Sequence, residues 1–449
     1  MRRIPTTIAI LALLASGCSA ATGQPAPAVT SRVPTTTPGA TTTLPAATAV
    51  PTLPAASPDA WLLVGRRGAV GLEVILASTR ERIYALPTGS PAREDWGRMI
   101  VASPAGGKTV VRDMVVQPGF GGPEMTLDGD WRLPTIGYDP IPVGLSADGS
   151  TQVLVEAGQA SANSSTSARF AVLRVVPLDQ KARIVELQGD FDYDAISPDG
   201  ATLYVVEHLA GKPAGRYQVR AVDVASGTLR DGAVADKRNA SEPMAGWPLG
   251  QVRRADGGVF TLYRGAEHPF IHALDAAGGT AVCIDLPATG AGDPDAARDW
   301  GLAPTPDGRS IYAVNATLGL ALEVDPVELG IRRSVSVEPL AAGGIVLAKF
   351  GHSESGPVGR RVVAGPDGRT LYAAGAGGIL AIGTADLEVT GRFLEGQAVE
   401  AFGLTADGGT LYVLLHDGGR IVRLDAASGK VLGQVPGDGY DRLLAVVPW

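Results

Sequence analysis

The stretch TPDGRSIYAVN, residues 305–315, decides the fold. An Asp-Gly pair between apolar runs marks a hairpin, because Gly accepts a positive φ and Asp bonds back to the local backbone. Ile311-Tyr312-Ala313-Val314 that follows has the β-branched and aromatic character of a buried strand. The same pattern recurs along the chain, at residues 103–106, 146–149, 197–200, 254–257, 365–368 and 405–408. With Gly308 included, the last glycines of the seven turns lie 43, 51, 57, 51, 60 and 40 residues apart. Five of the turns lead into an apolar pair with Tyr: Leu203-Tyr204, Leu262-Tyr263, Ile311-Tyr312, Leu371-Tyr372 and Leu411-Tyr412.

Each turn is followed by two more strand-like runs, as in 419–424 and 430–435 of the last repeat, joined by Asp425-Ala-Ala-Ser-Gly429. The unit is four short antiparallel strands, and helical periodicity is missing from the repeats. A four-stranded sheet repeated at this period predicts a β-propeller, all-β, whose blades are stable only against each other. The spacing divides residues 58–449 into between seven and eight blades. Residues 60–65 and 442–448 are both apolar strands, and pairing them in one blade would close the ring.

TPDGRSIYAVN and LDAASGKVLGQV (residues 424–435) resemble the YVTN-type, WD40-like repeats of bacterial surface propellers. The resemblance covers about 390 residues and favours seven blades, with eight left open. It implies architecture rather than activity, because such rings serve as binding modules, enzymes and scaffolds.

The N-terminus predicts an address. Arg2 and Arg3 precede a short apolar run at residues 8–14, too short for a permanent membrane span. Leu14-Ala15-Ser16-Gly17-Cys18 is similar to the bacterial lipoprotein signal, with Ala15 where Leu is commoner. That resemblance implies a signal peptide over residues 1–17, diacylglycerol and N-acyl chains such as palmitate on Cys18, and a lipid anchor at the extracytoplasmic side of the cell membrane. Residues 19–57 hold 10 Thr, 10 Ala and 7 Pro, with Arg32 the sole charge, and are expected to be a disordered tether. The domains expected are therefore 1–17, 18–57 and 58–449.

The 449 residues carry 38 Lys+Arg against 46 Asp+Glu, and a net charge of −8 excludes the basic footprint of a nucleic-acid binder. Two cysteines cannot build a disulfide scaffold, and Cys283 in an apolar run reads as a small core residue. The five histidines show no zinc spacing, and no Gly-x-Ser-x-Gly elbow occurs. Residues 102–109 fit a relaxed phosphate-loop pattern, but the β-rich run after Lys108 makes them a hairpin turn.

Long segments at 156–168, 228–250, 287–300 and 338–361 fall between second and third strands or between blades, hence on one face, where binding is expected. Two of the connections into inner strands carry Asp95-Trp96-Gly97 and Asp299-Trp300-Gly301. With Asp190, Asp192, Asp194 and Trp247 these residues are candidates for a polar and aromatic lining of the channel mouth. The competing structural reading has each Asp capping a strand and each Trp packed between blades. Asp190, Asp192 and Asp194 alternate like calcium ligands, but Ala195 and Ala201 stand where an EF-hand needs Gly and Glu. No cofactor is predicted, apart from a Ca²⁺ that channel carboxylates could take.

The expected function is a membrane-anchored module that binds a protein or glycan at the cell envelope. Two alternatives stay open: a lactone hydrolase or quinoprotein-like oxidoreductase with a metal at the channel mouth, and an envelope assembly scaffold.

Overall fold

A computed structural model describes residues 60–67, 71–86, 90–91, 98–115, 122–137, 141–157, 167–209, 216–234, 243–265, 267–288, 296–340 and 360–447. They form eight antiparallel sheets of a β-propeller. Of the two blade counts open from the sequence, the ring has the larger.

Blades are numbered from the one holding the N-terminal strands. In sheet order, blade 1 is 440–447, 61–66, 72–76 and 82–86, and blade 2 is 90–91, 98–105, 108–115 and 124–128. Blade 3 is 131–132, 151–156, 167–175 and 178–188, and blade 4 is 191–196, 202–208, 216–223 and 228–229, with 244–245 added beside its third strand. Blade 5 comprises 247–253, 258–264, 270–275 and 280–285, and blade 6 comprises 300–304, 311–315, 320–325 and 330–336. Blade 7 runs 362–364, 370–375, 378–383 and 389–393, and blade 8 runs 399–404, 410–415, 420–425 and 431–434.

Blade 1 closes the ring as the apolar ends of the domain require, with Trp61 opposite Val447 and Leu62 opposite Val446. Because its first two strands come from opposite ends of the chain, no turn joins them. Seven turns therefore accompany eight blades. In blade 2 the turn falls elsewhere: Gly106 and Gly107, at φ +61° and +76°, join the second and third strands in a two-residue hairpin. That hairpin replaces the helix a phosphate loop would need.

The recurring turn owes its geometry to its first and third residues. Gly200 N–H donates to the Ser197 carbonyl (2.9 Å). Ser197 Oγ donates to Asp199 (2.6 Å) and accepts from Thr202 N–H (2.8 Å), while Asp199 also accepts from Ala201 N–H (3.0 Å). Thr305/Asp307 and Thr405/Asp407 repeat this network. The hydroxyl and amide donors hold Asp199 below the usual carboxylate range.

Side chains alternate across each strand, so one set packs on the preceding blade and the other on the following one. Phe260, Leu262 and Ile271 of blade 5 share a cluster with Trp300, Ile311 and Leu322 of blade 6, whereas Val259, Tyr263 and Phe270 join Tyr204, Tyr217 and Val219 of blade 4. The core is thus a ring of seams rather than one central mass.

Blade 3 departs from the repeat. Its inner strand pairs at Trp131 and Arg132, leaves the sheet, and returns at Leu145 opposite Gln152. The neck of this excursion is closed by Val143 N–H donating to Pro134 O (2.8 Å) and by Gln152 Nε2 donating to Val143 O (3.1 Å). Ile141 packs in a cluster with Leu63 and Leu444 of blade 1, and Ile136 in one with Phe191 and Tyr193 of blade 4. Gly137 lies so close to blade 5 that a Cβ there would sit 2.0 Å from Pro248 O. A segment within reach of the inner strands of blades 1, 4 and 5 occupies the centre of the ring. Residues 133–137 and 141–144 are therefore a plug within the channel.

Candidate functional site

The inner strands of the blades start on one face, opposite the ends of the second strands: Phe191 faces Glu207, Trp247 faces Arg264, Trp300 faces Asn315 and Val399 faces Leu415. The long segments at 156–168, 228–250, 287–300 and 338–361 join strands at this same face, as their spacing predicts. Their middles, 158–166, 235–242, 289–295 and 341–359, lie outside the described residues. So do three nominated residues: Cys18, Asp95 and Trp96.

The remaining candidates do not converge. Asp190 stands just before the inner strand of blade 4 and contributes its carbonyl to His208 N–H (2.9 Å). Asp192, exposed, pairs with His208 Nε2 at 2.8 Å, which raises the imidazole pKa. Asp194 is 1% exposed. It sits at a bulge where the register shifts between Tyr193 and Ala195, and neither carboxylate oxygen has a hydrogen-bond partner. Burial pushes its pKa up to about 7, so near neutrality the carboxyl holds its proton about half the time.

Asp299 is a structural tie. Buried before the inner strand of blade 6, it accepts from Arg361 Nη2 (2.9 Å), ahead of the blade 7 strand, and from Thr317 Oγ1. Arg361 Nη1 donates onward to Val399 O on blade 8 (2.6 Å). Three consecutive blades are thereby joined at their inner ends. Trp300 is 2% exposed in the seam between blades 5 and 6. Trp300 thus has the interblade packing of the competing structural reading, whereas the contacts of Asp299 are ties to Arg361 and Thr317.

Trp247 differs. The residue at the start of the inner strand of blade 5 is 54% exposed, held by backbone pairing to Arg264 and preceded by Gly246 at φ +152°. A rigidly placed, solvent-facing indole is the side chain most often found as a binding anchor.

Reading for channel acids missed a second pair, His416 Nδ1 with Glu400 Oε1 in blade 8. It occupies the place that Asp192 and His208 hold in blade 4, on the opposite side of a ring of eight. The signal was present: acid and imidazole lie eight residues before and after the turn glycine in both repeats, Gly200 and Gly408. Of the other histidines, His272 is a core residue, 2% exposed, whose pKa burial lowers to about 4. Cys283 is half-buried, opposite His272. Among the described residues, no three His, Cys, Asp or Glu side chains converge as a metal cluster.

No family model matches the chain, and no curated protein does. Solved structures match the fold. Two crystal structures of AztD from Citrobacter koseri, the first of its apo form, align with TM-scores of 0.50 and 0.51 at 13% and 14% identity. Each alignment covers 86% of this chain, and 98% and 97% of AztD respectively. The dihydro-heme d1 dehydrogenase NirN aligns at 0.49 with 15% identity, covering 88% of this chain and 77% of that one. At such identities the likeness establishes the propeller and nothing narrower.

Proposed function

We propose that this protein is a lipid-anchored binding module of the cell envelope, and that it engages a protein or glycan through the face on which its inner strands start. The exposed Trp247 carries this reading: a rigid indole stands on the face that also receives the long connections, one blade from the Asp192–His208 pair. Among the described residues, the carboxylates that recommended a metal at the channel mouth are engaged elsewhere or dispersed. Asp299 is tied to Arg361 and Thr317, Asp192 to His208, and Asp194 lies inside a bulge.

Anchoring rests on Cys18 and its flanking residues, and a tether of about 40 residues would let the ring face its partner in any orientation. The scaffold alternative draws support from Val431 and Leu432, adjacent exposed apolar side chains on the outer strand of blade 8.

A photo-crosslinking amino acid placed at position 247 in living cells tests the face, with position 431 as the opposing control. A discrete adduct from 247, competed away by added purified protein, is expected. Equal labelling from 431, or no adduct from 247, would overturn the reading in favour of the scaffold or enzyme alternatives. Cys18→Ser should move the protein from the membrane to the soluble fraction.

A further inference from the structure

The seam between blades 4 and 5 holds a group of side chains that the proposed function does not use. Across the outer half of blade 5, His272 stands directly opposite Cys283, so both side chains leave the same face of the sheet. That face is turned towards blade 4, because Val259, Tyr263, Phe270, Leu274 and Ala281, which share it, pack with Tyr204, Tyr217 and Val219. From blade 4, Met244 is paired beside Tyr217 and places its Sδ 3.7 Å from Cys283 Sγ. His272 is buried, and its Nδ1 has no hydrogen-bond partner. A buried ring nitrogen left unpaired in a seam with two sulfurs needs a physical account.

We infer that Cys283 Sγ, Met244 Sδ and the His272 imidazole form a binding site for a soft monovalent cation, of which Cu(I) is the type. Two sulfurs 3.7 Å apart, each about 2.3 Å from a common ion, subtend about 107° at it, the angle of three- or four-coordinate binding. Thiolate, thioether and imidazole together are soft donors that suit Cu(I) and exclude Ca²⁺ and Mg²⁺, which require oxygen. Charge selects further. The ion enters as Cys283 releases its thiol proton to solvent, so a monovalent cation and one thiolate leave the seam neutral. A divalent ion would leave a net positive charge buried there, which the single thiolate does not offset. The Tyr217 ring lines the same seam, within electrostatic reach of Cys283.

Cu(I) is titrated anaerobically, under reductant, into the full chain in detergent with bathocuproine disulfonate as competitor. One equivalent should bind with thiolate-to-metal absorption in the ultraviolet. Cys283→Ser should abolish that binding while leaving Cys18 in place, and Met244→Leu and His272→Gln should each weaken it roughly tenfold or more. Uptake that survives in Cys283→Ser, or no uptake by the unaltered chain, would overturn the site. Because His272→Gln alters the core, a second measurement needs no variant: one equivalent of Ag(I) should slow alkylation of Cys283 roughly tenfold, read by peptide mass spectrometry. An unchanged alkylation rate would equally overturn it.

Discussion

Replacing Arg361 by Met removes a guanidinium while keeping much of its apolar stem. The Arg361 and Asp299 side chains are 14% and 8% exposed, so the substitution strands a carboxylate with little access to water. Breaking a buried pair from one side costs about 3–5 kcal/mol. Thr317 Oγ1 still donates to Asp299 and places the expected loss at the lower end, while the Val399 carbonyl loses a charged donor and adds about 1 kcal/mol. The unfolding entropy of a ring of about 390 residues is about 0.8 kcal/mol per kelvin, so a loss of about 4 kcal/mol lowers Tm by about 5 °C. The double variant Arg361→Met with Asp299→Asn removes both charges, and Asn still accepts from Thr317. It should recover more than half of the loss, leaving about 1 kcal/mol for the Val399 carbonyl. Thermal melts of the two single variants and the double variant at pH 7 and moderate salt form the test. A drop below about 1 °C for Arg361→Met, or a double variant that melts at the sum of the single shifts, would show that the pair does not tie blades 6, 7 and 8.

Asp194 titrates in the opposite sense to an ion-paired acid. Its folded pKa of about 7 lies above the unfolded value near 3.8, so the folded state binds more protons between them and stability falls as pH rises through that window, by up to about 4 kcal/mol. Asp194→Asn should flatten this slope in melts at pH 5 and pH 8, and an unchanged slope refutes the assignment. Asp199 is the converse case: its hydroxyl and amide donors depress its pKa, so its contribution is present above the ordinary carboxylate range and disappears as pH falls through the folded value. Asp199→Ala should therefore lower Tm at pH 7 and leave it nearly unchanged near pH 2.5, by calorimetry at the two values. Gly137→Ala meets both a φ of +59° and the Pro248 carbonyl, and should cost about 2–4 kcal/mol in denaturant unfolding; a neutral result would mean the plug does not press on blade 5.

The propeller was legible because each repeat states its own hairpin chemistry. Asp307 and Gly308 specify a turn locally, and Leu371-Tyr372 and Leu411-Tyr412 mark the strands that follow. The blade number was harder to read, since turns join strands within a blade and blade 1 is assembled from the chain's two ends. The plug was illegible for another reason. Leu133, Ile136, Ile141 and Val143 look like ordinary strand residues, and nothing local says that their neighbours are four different blades. Among the candidates, the repeated Asp-Trp-Gly tripeptide did not mark one position: its first copy precedes the second strand of blade 2 and its second copy the inner strand of blade 6. Trp300 lies in a seam and Trp247, outside that motif, lies in solvent, a difference set by packing across blades. The sulfur pair was invisible for the same reason, Met244 and Cys283 being brought together by the docking of two sheets.

The pairing of Trp61 with Val447 also sets a timetable. At about 5–20 residues per second, synthesis of the intervening chain takes roughly 20 to 80 s. Throughout that interval the strand at 61–66 has one edge without its partner, an apolar template open to any other extended segment. The last strand made is the one that ends this exposure. Loss of residues 440–447 would therefore leave a chain with seven intact sheets and one permanently unpaired edge, prone to self-association rather than merely less stable.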